Sequence, residues 1–258
     1  MSSTHDYDLL APIDRLDEVD STQKHARRAV EAGQCADRGR MFVAARQTGG
    51  VGRFGRAWSS PPGGVWATLV WPLGPQSAQI IDGLGLRCGL ATARAVEKVL
   101  ADHGHADPVR LKWPNDVLVG GRKIAGVLCE VLHRNGMAYA LVGVGVNGNS
   151  RASDLPPEVA PRATTLRDEI GRDAHLGRFV RDLRDRLCEA LAVHGLPQKW
   201  RVEIDERLAG VNERAHIRLA DGSTREGVLL GLTPDGRPRL RTETGEWVAP
   251  PGAELSPP

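Results

Sequence analysis

The sequence predicts an α+β fold, a mixed and largely antiparallel sheet with flanking helices, followed by a small C-terminal β-barrel. Strand-length apolar runs alternate with two long stretches of helical period up to about residue 200. Glycine pairs and an Asn-Gly step join several of those strands as hairpins. Past Glu203, short strands recur at roughly ten-residue spacing between Asp-Gly and Thr-Gly turns, the pattern of a small barrel. For 258 residues, one large domain with a small companion fits better than two equal halves, and the change of texture divides the chain into 1–204 and 205–258.

In chain order, residues 15–19 read as a short strand, and Asp20-Ser21 before residues 22–32, closed by Gly33, reads as a capped helix. Residues 41–45 form an apolar strand, 47–64 a glycine-rich loop containing Pro61 and Pro62, and 65–71 a second strand. Over residues 82–103, Leu86, Leu90, Ala93, Val96 and Leu100 fall at helical spacing and predict a packed helix. Short strands follow at 109–112, 117–119, 124–131 and 138–146, with Gly120-Gly121 and Asn135-Gly136 as hairpin turns. Tyr139 and Leu141 alternate with Val142, Val144 and Val146 on the other face, which predicts a central strand. A second helix over 176–193 carries Phe179, Val180, Leu183, Leu187 and Leu191.

Composition excludes several classes. Hydrophobic residues at 41% and charged residues at 26% fit a globular chain and exclude collagen or disorder. Lys and Arg number 34 against 32 Asp and Glu, and a net charge of +2 argues against a duplex-DNA coat or a polybasic membrane anchor. No apolar run approaches the length of about 18 residues that a membrane span needs. The first twenty residues carry His5, Asp6, Asp8, Asp14, Asp17 and Glu18 in place of a signal sequence, so a cytoplasmic location is expected. Cys35, Cys88, Cys129 and Cys188 are far apart without a C-x-x-C pair, and are expected as free thiols in a reducing compartment.

The chemistry concentrates in three segments. Residues 38–81 contain no Asp or Glu, yet hold Arg38, Arg40, Arg46, Arg53 and Arg56. Such guanidinium excess in a glycine-rich loop suits a phosphate or carboxylate ligand, because the planar fork donates paired hydrogen bonds to an oxyanion; a solvated basic loop is the plain alternative. Gly50, Gly52 and Gly55 satisfy the spacing of a dinucleotide fingerprint, but Ser-Ser-Pro-Pro-Gly-Gly follows instead of a helix and the next acid is Asp82. A phosphate-binding Walker loop fails as well, since Arg56-Ala57 stands where Lys and Ser or Thr are needed. The second segment, Lys112-Trp113-Pro114-Asn115-Asp116, places short polar side chains at a turn, with Arg122-Lys123-Ile124-Ala125-Gly126 after it. In the third, Gly143-Val144-Gly145-Val146-Asn147, alternate glycines in an apolar strand imply that something lies against the backbone, either a ligand or a tightly packed neighbour.

Together, Ser21-Thr22-Gln23, the loop over 47–58, and the segments 112–116, 122–126 and 143–147 resemble the bacterial biotin protein ligases, in the short form without an N-terminal DNA-binding domain. The family pattern is S-T-N, then G-R-G-R-x-G-R-x-W, K-W-P-N-D, K-x-x-G and G-x-G-x-N. Each is weak alone, and the five occur here in order and spacing. The resemblance implies a catalytic domain similar to class II aminoacyl-tRNA synthetases with an SH3-like C-terminal barrel. It implies ATP and Mg2+, with biotin as substrate: the biotin carboxylate attacks the α-phosphorus of ATP, and a lysine on the biotin carboxyl carrier domain of acetyl-CoA carboxylase or a related carboxylase then attacks the biotinyl-adenylate.

By the same resemblance, Arg53 and Lys123 bridge the biotin carboxyl and the α-phosphate, Arg56 orders the loop, and Trp58 stacks on adenine. Ser21, Thr22 and Gln47 hydrogen-bond biotin, Gly50, Gly126 and Gly145 admit close backbone approach, and Trp66 walls the bicyclic ring. Asn115, Asp116 and Asn147 belong to the nucleotide side, and Lys112 is either a phosphate contact or a structural ion-pair partner. Two positions depart from the pattern: Val51 replaces the first loop arginine and Gln23 the Asn of S-T-N. Loss of the Val51-position cation implies a leakier intermediate rather than altered chemistry. A lipoate-type ligase shares the adenylation chemistry, but K-W-P-N-D is not its pattern. A biotin-responsive DNA-binding repressor needs a helix-turn-helix, for which the roughly twenty residues before Ser21 are too few. A non-enzymatic biotin-binding module predicts no ATP turnover. No DNA or membrane partner is expected, and a monomer and a homodimer are both compatible with the sequence.

Overall fold

The computed structural model describes residues 11–35, 39–73 and 83–256, so Asp37, Arg38 and Asp82 lie outside the described residues. The chain begins with β1 (Ile13–Val19), α1 (Thr22–Glu31), β2 (Arg40–Gln47) and β3 (Val65–Leu73). Helix α2 (Leu84–Ala101) leads to β4 (Val109–Lys112), β5 (Asp116–Val119), β6 (Arg122–Arg134) and β7 (Met137–Val146). Three helices follow: α3 (Leu166–Ile170), α4 (Leu176–Leu191) and α5 (Gln198–Arg207).

The first seven strands form one sheet in the order β1-β2-β3-β7-β6-β5-β4. Only the β1–β2 pair is parallel, because α1 connects them as a crossover; the rest are antiparallel. Gly120 and Gly121, and then Asn135 and Gly136, all take positive φ, the geometry of two-residue hairpin turns. Strand β7 is central, as its alternation predicts. Ala140, Val142, Val144 and Val146 join the main core with α2 and α4, while Tyr139 and Leu141 pack with Ala26, Ala29 and Val30 of α1 on the other face. In the main core, Leu183 and Leu187 are fully buried, and each such side chain contributes about 1.5–3 kcal/mol. Ser21 stands at the N-cap of α1 in extended conformation without a side-chain cap bond; its neighbour Asp20 instead holds Arg28 at 2.7 and 2.9 Å.

Helix α5 has no counterpart in the sequence-based expectation. Of its residues only Ile204 is buried. Ion pairs from Glu203 to Arg94 and from Arg207 to Glu97 dock it on α2, and Arg94 lies 5.2 Å from the Trp200 ring centre. Residue 205 falls within this helix.

Strands β8 (Arg214–Arg218), β9 (Thr224–Leu232), β10 (Pro238–Thr242), β11 (Gly245–Val248) and β12 (Glu254–Ser256) form an antiparallel sheet in the order β11-β10-β9-β8-β12. These five short antiparallel strands are the expected small C-terminal β unit, and among the described residues no ladder joins its end strands β11 and β12. Pro250 and Pro251, in the link between these end strands, carry no N–H for a ladder, and β12 has three residues. This sheet touches the first: Trp113 Nε1 donates to Gly236 O at 3.0 Å, and Ala209 N to Leu111 O at 2.9 Å. No helix among the described residues is long and apolar enough to cross a membrane.

Candidate active site

Residues from separate segments meet in one cross-strand row. Lys112 lies opposite Asp116, Asp116 opposite Gly126, Gly126 opposite Gly145, Gly145 opposite Trp66, and Trp66 opposite Ala44. Directly opposed residues of antiparallel strands share a face, and this is the α1 face. Two residues along the strands, Thr68 Oγ1 lies 2.9 Å from Thr22 Oγ1, and a Cβ on Gly143 would stand 2.6 Å from Gln23 Oε1.

A register shift between Val117 and Leu118 sets Lys123 opposite Leu118, from where its ammonium reaches Asp116 Oδ1 at 2.6 Å. Lys123 Nζ also stands 4.8 Å from the centre of the Trp58 ring. That indole lies against bare backbone: a Cβ on Gly145 would come within 2.6 Å of Trp58 Nε1, and one on Gly126 within 3.1 Å of the ring. The close approach expected at these glycines is therefore made by Trp58 itself.

The loop that delivers Trp58 is a small hairpin, with Trp58 N donating to Gly50 O at 2.9 Å, Gly52 N to Arg56 O at 2.8 Å, and Val51 bridged to Ala57. At its tip Phe54 has φ 57° and is 64% exposed, with the Arg53 and Arg56 guanidinium carbons 4.8 and 5.5 Å from its ring centre. Gly50 admits no side chain, since a Cβ there would stand 2.5 Å from Trp58 O.

The basic window is offset by acids from elsewhere in the chain: Arg40 pairs with Asp14, Arg46 with Glu18 and Arg56 with Glu254. Arg53 instead gives Nη2 to Ala253 O at 3.2 Å, and its Nη1 is buried with no hydrogen-bond partner among the described residues, as is Trp58 Nε1. Buried donors are nearly always satisfied, so these two fit an acceptor from a ligand. Burial lowers the pKa of Arg53, with Glu254 and Asp116 opposing; burial also lowers that of Lys112, which faces Asp116, Lys123, Glu254 and Arg162. For Glu254 burial opposes ionisation, but Arg56, Arg53 and Arg218 more than offset it and hold its carboxyl below the usual range.

The floor is a hydrogen-bond chain. Gln47 Oε1 accepts from Thr22 N at 2.7 Å and Thr22 Oγ1 at 3.1 Å, Gln47 Nε2 donates to Ser60 Oγ at 2.7 Å, and Ser60 Oγ donates to Trp58 O at 3.1 Å. Ser21 and Thr22 are buried beside it. Trp66 is fully buried and gives Nε1 to Pro61 O at 3.0 Å. The amides of Asn115 and Asn147 face backbone: Asn115 Nδ2 donates to Val127 O at 2.7 Å, and Asn147 Nδ2 to Thr164 O at 2.9 Å and Lys123 O at 3.4 Å. In this arrangement they shape the strands around Lys123.

His105, Asp107 and Glu169 bring ligand atoms within 4.8 Å of one another. Glu169 already accepts from Arg122 at 2.8 Å and from Thr164 Oγ1, a donor set unlike the all-oxygen octahedron of Mg2+. Arg53, Lys112 and Lys123, gathered around Asp116, supply instead the positive charge needed to hold two anions close together, as joining a carboxylate to a phosphate requires.

A family model described as the biotin/lipoate A/B protein ligase family matches residues 18–147. The chain belongs to this family. It is 30% identical over 236 residues to the bifunctional ligase/repressor BirA of Bacillus subtilis, covering 89% of this chain and 69% of the relative. It is 30% identical over 210 residues to the biotin--[acetyl-CoA-carboxylase] ligase of Mycobacterium tuberculosis, covering 77% of this chain and 72% of that one. The fold matches a biotin protein ligase from Aquifex aeolicus in complex with biotin and ATP, with a TM-score of 0.80, 30% identity, and coverage of 95% of this chain and 98% of that one.

Sequence reasoning missed several polar residues of this family member's site. Ser60 and Thr68 complete the floor, and Glu130 accepts from Gln23 Nε2 at 3.1 Å and from Arg27 at 3.1 Å. Thr68 sits in an apolar strand, Trp66-Ala67-Thr68-Leu69-Val70, where a lone hydroxyl was the available signal.

Proposed function

We propose that this protein is an ATP-dependent biotin ligase that biotinylates a specific lysine on the biotin carboxyl carrier domain of acetyl-CoA carboxylase or a related carboxylase. A carboxylate oxygen of biotin attacks the α-phosphorus of ATP, the bond to pyrophosphate breaks, and biotinyl-adenylate forms. The carrier lysine amine then attacks the acyl carbon, AMP leaves, and the amine proton is released. The first step brings a carboxylate and a triphosphate together, and the second builds negative charge on the departing AMP phosphate, so fixed cations at the junction lower both barriers.

The observation that carries this reading is the set of cations gathered around Asp116 at the end of the cross-strand row, in a chain that matches a ligase complexed with biotin and ATP over 95% of its length. Arg53 and Lys123 are assigned to the junction of carboxylate and α-phosphate, with Lys123 released from Asp116 as the anions arrive. Arg56 orders the loop and Trp58 stacks on adenine. Ser21, Thr22 and Gln47 hydrogen-bond biotin, Gly50, Gly126 and Gly145 admit its close approach to the backbone as Trp58 moves aside, and Trp66 walls the bicyclic ring. Lys112 and Asp116 belong to the nucleotide side, with Asn115 and Asn147 supporting them through the backbone. Mg2+ travels with the ATP phosphates and neutralises their charge. The two-part organisation, 1–204 catalytic and 205–258 accessory, puts its seam in α5. The proposed activity requires no DNA partner and is compatible with a monomer or a homodimer.

The test is biotin-dependent exchange of labelled pyrophosphate into ATP. Biotin stimulates exchange in the wild type and lipoate does not; Lys123→Ala lowers the rate by about 10²–10³-fold, the usual loss for one donor to developing charge. Stimulation by lipoate alone overturns the substrate, and full activity of Lys123→Ala overturns the site.

A further inference from the structure

We infer that Glu169 is a positioning residue for Lys123, acting through Thr164 and Arg122; the inference rests on Lys123 being the cation at the reacting junction. Glu169 belongs to α3, and its carboxylate is 5% exposed. Three elements converge on it: Arg122 Nη2 at 2.8 Å and Thr164 Oγ1 on Oε1, and His105 Nε2 at 2.8 Å on Oε2. With both oxygens engaged, this carboxylate orients its neighbours.

The neighbours it holds are those that hold Lys123. Arg122 precedes Lys123 in the chain. Thr164 N donates to Lys123 O at 2.9 Å, Ala163 bridges Lys123, and Asn147 Nδ2 ties Thr164 O to Lys123 O. Asn147 N, in turn, donates to Ile124 O at 2.9 Å. This bracing falls at the register shift in the β5–β6 pair, where the regular ladder is interrupted and does not by itself fix the backbone. A lysine carries its charge on a long flexible stem, so a small displacement at its root moves the ammonium relative to the reacting atoms, and an error of about 1 Å costs on the order of 10²-fold in rate.

The test is pyrophosphate exchange in four proteins: wild type, Glu169→Gln, Lys123→Ala and the double variant, each with its thermal unfolding curve. Glu169→Gln is expected to lower kcat about tenfold, with KM for biotin and ATP changed less than about twofold, and to cause no further loss beside Lys123→Ala. Thr164→Val, which keeps the side-chain shape and removes one donor, gives the same loss in kcat alone and replaces Glu169→Gln if that variant does not fold. Equal losses with and without Lys123, an unchanged kcat, or a loss that follows the folded fraction overturns the inference. Wild-type exchange by Lys123→Ala identifies a different failure, that of the site assignment, and removes the inference with it.

Discussion

Trp58 and Gly145 form a matched pair in which an indole occupies space that any Cβ would claim. Gly145→Ala would set its new methyl 2.6 Å from Trp58 Nε1, so the ring must leave the sheet. The expected outcome is a rise of about tenfold or more in KM for biotin, a loss near 1.4 kcal/mol, measured in the exchange assay. Biotin binding against the same backbone also moves Trp58, so a fluorescence change on titration with biotin should vanish in Trp58→Phe. At position 51, Val51→Arg restores a loop cation and is expected to slow the release of free biotinyl-adenylate; equal release rates from the two proteins would refute this. The alternate glycines announced that something lies on the backbone, but their neighbours differ: Trp58 covers Gly145, and Gln23 covers Gly143. Spacing along one strand carries no information about which distant side chain arrives there.

Among the elements, α4 and α5 are opposites. Helix α4 presents Phe179, Val180, Leu183 and Leu187 as one buried stripe, which made it legible as a periodic pattern. Helix α5 turns only Trp200 and Ile204 toward the core and is otherwise docked by ion pairs, so two apolar residues one turn apart were too few to mark a period. Its docking should depend on pH. Arg94 donates to Glu203 and, with Arg207, holds its carboxyl below the ordinary 4.5 against the opposing effect of burial. A carboxyl lowered by folding contributes stability above its unfolded value and loses that contribution as pH falls through the folded value. The thermal midpoint is therefore expected to fall as pH drops below about 4.5, and Glu203→Gln should lose less over that window. Leu187→Ala on α4 should cost about 2–5 kcal/mol by denaturant unfolding, independent of that pH dependence.

For the whole molecule, the main core passes without a break from α2 and α4 through Ile204 and Leu208 to Ile217, Leu229 and Leu240 of the C-terminal sheet. Such continuity predicts one cooperative thermal transition rather than two. Gly236 lies at the contact, with φ 84° and a would-be Cβ 2.5 Å from Leu86 Cδ1, while its carbonyl accepts from Trp113. Gly236→Ala is expected to lower the midpoint of the whole transition by several degrees, since it strains both the turn and the packing against α2. A separate early transition confined to the C-terminal strands would refute the continuity.

The sequence by itself determined the strands, the two long helices, the hairpin turns and the set of cationic and glycine motifs, because period, turn chemistry and charge are local properties of a chain. Only the tertiary structure decided that Lys112, Asp116, Gly126, Gly145 and Trp66 occupy one row. It also decided that acids from elsewhere pair with Arg40, Arg46 and Arg56, while Arg53 keeps a buried donor unpartnered. The reason is physical: strand order and register are fixed by contacts between residues far apart in sequence, and a charge acquires its role from the partners that folding brings beside it.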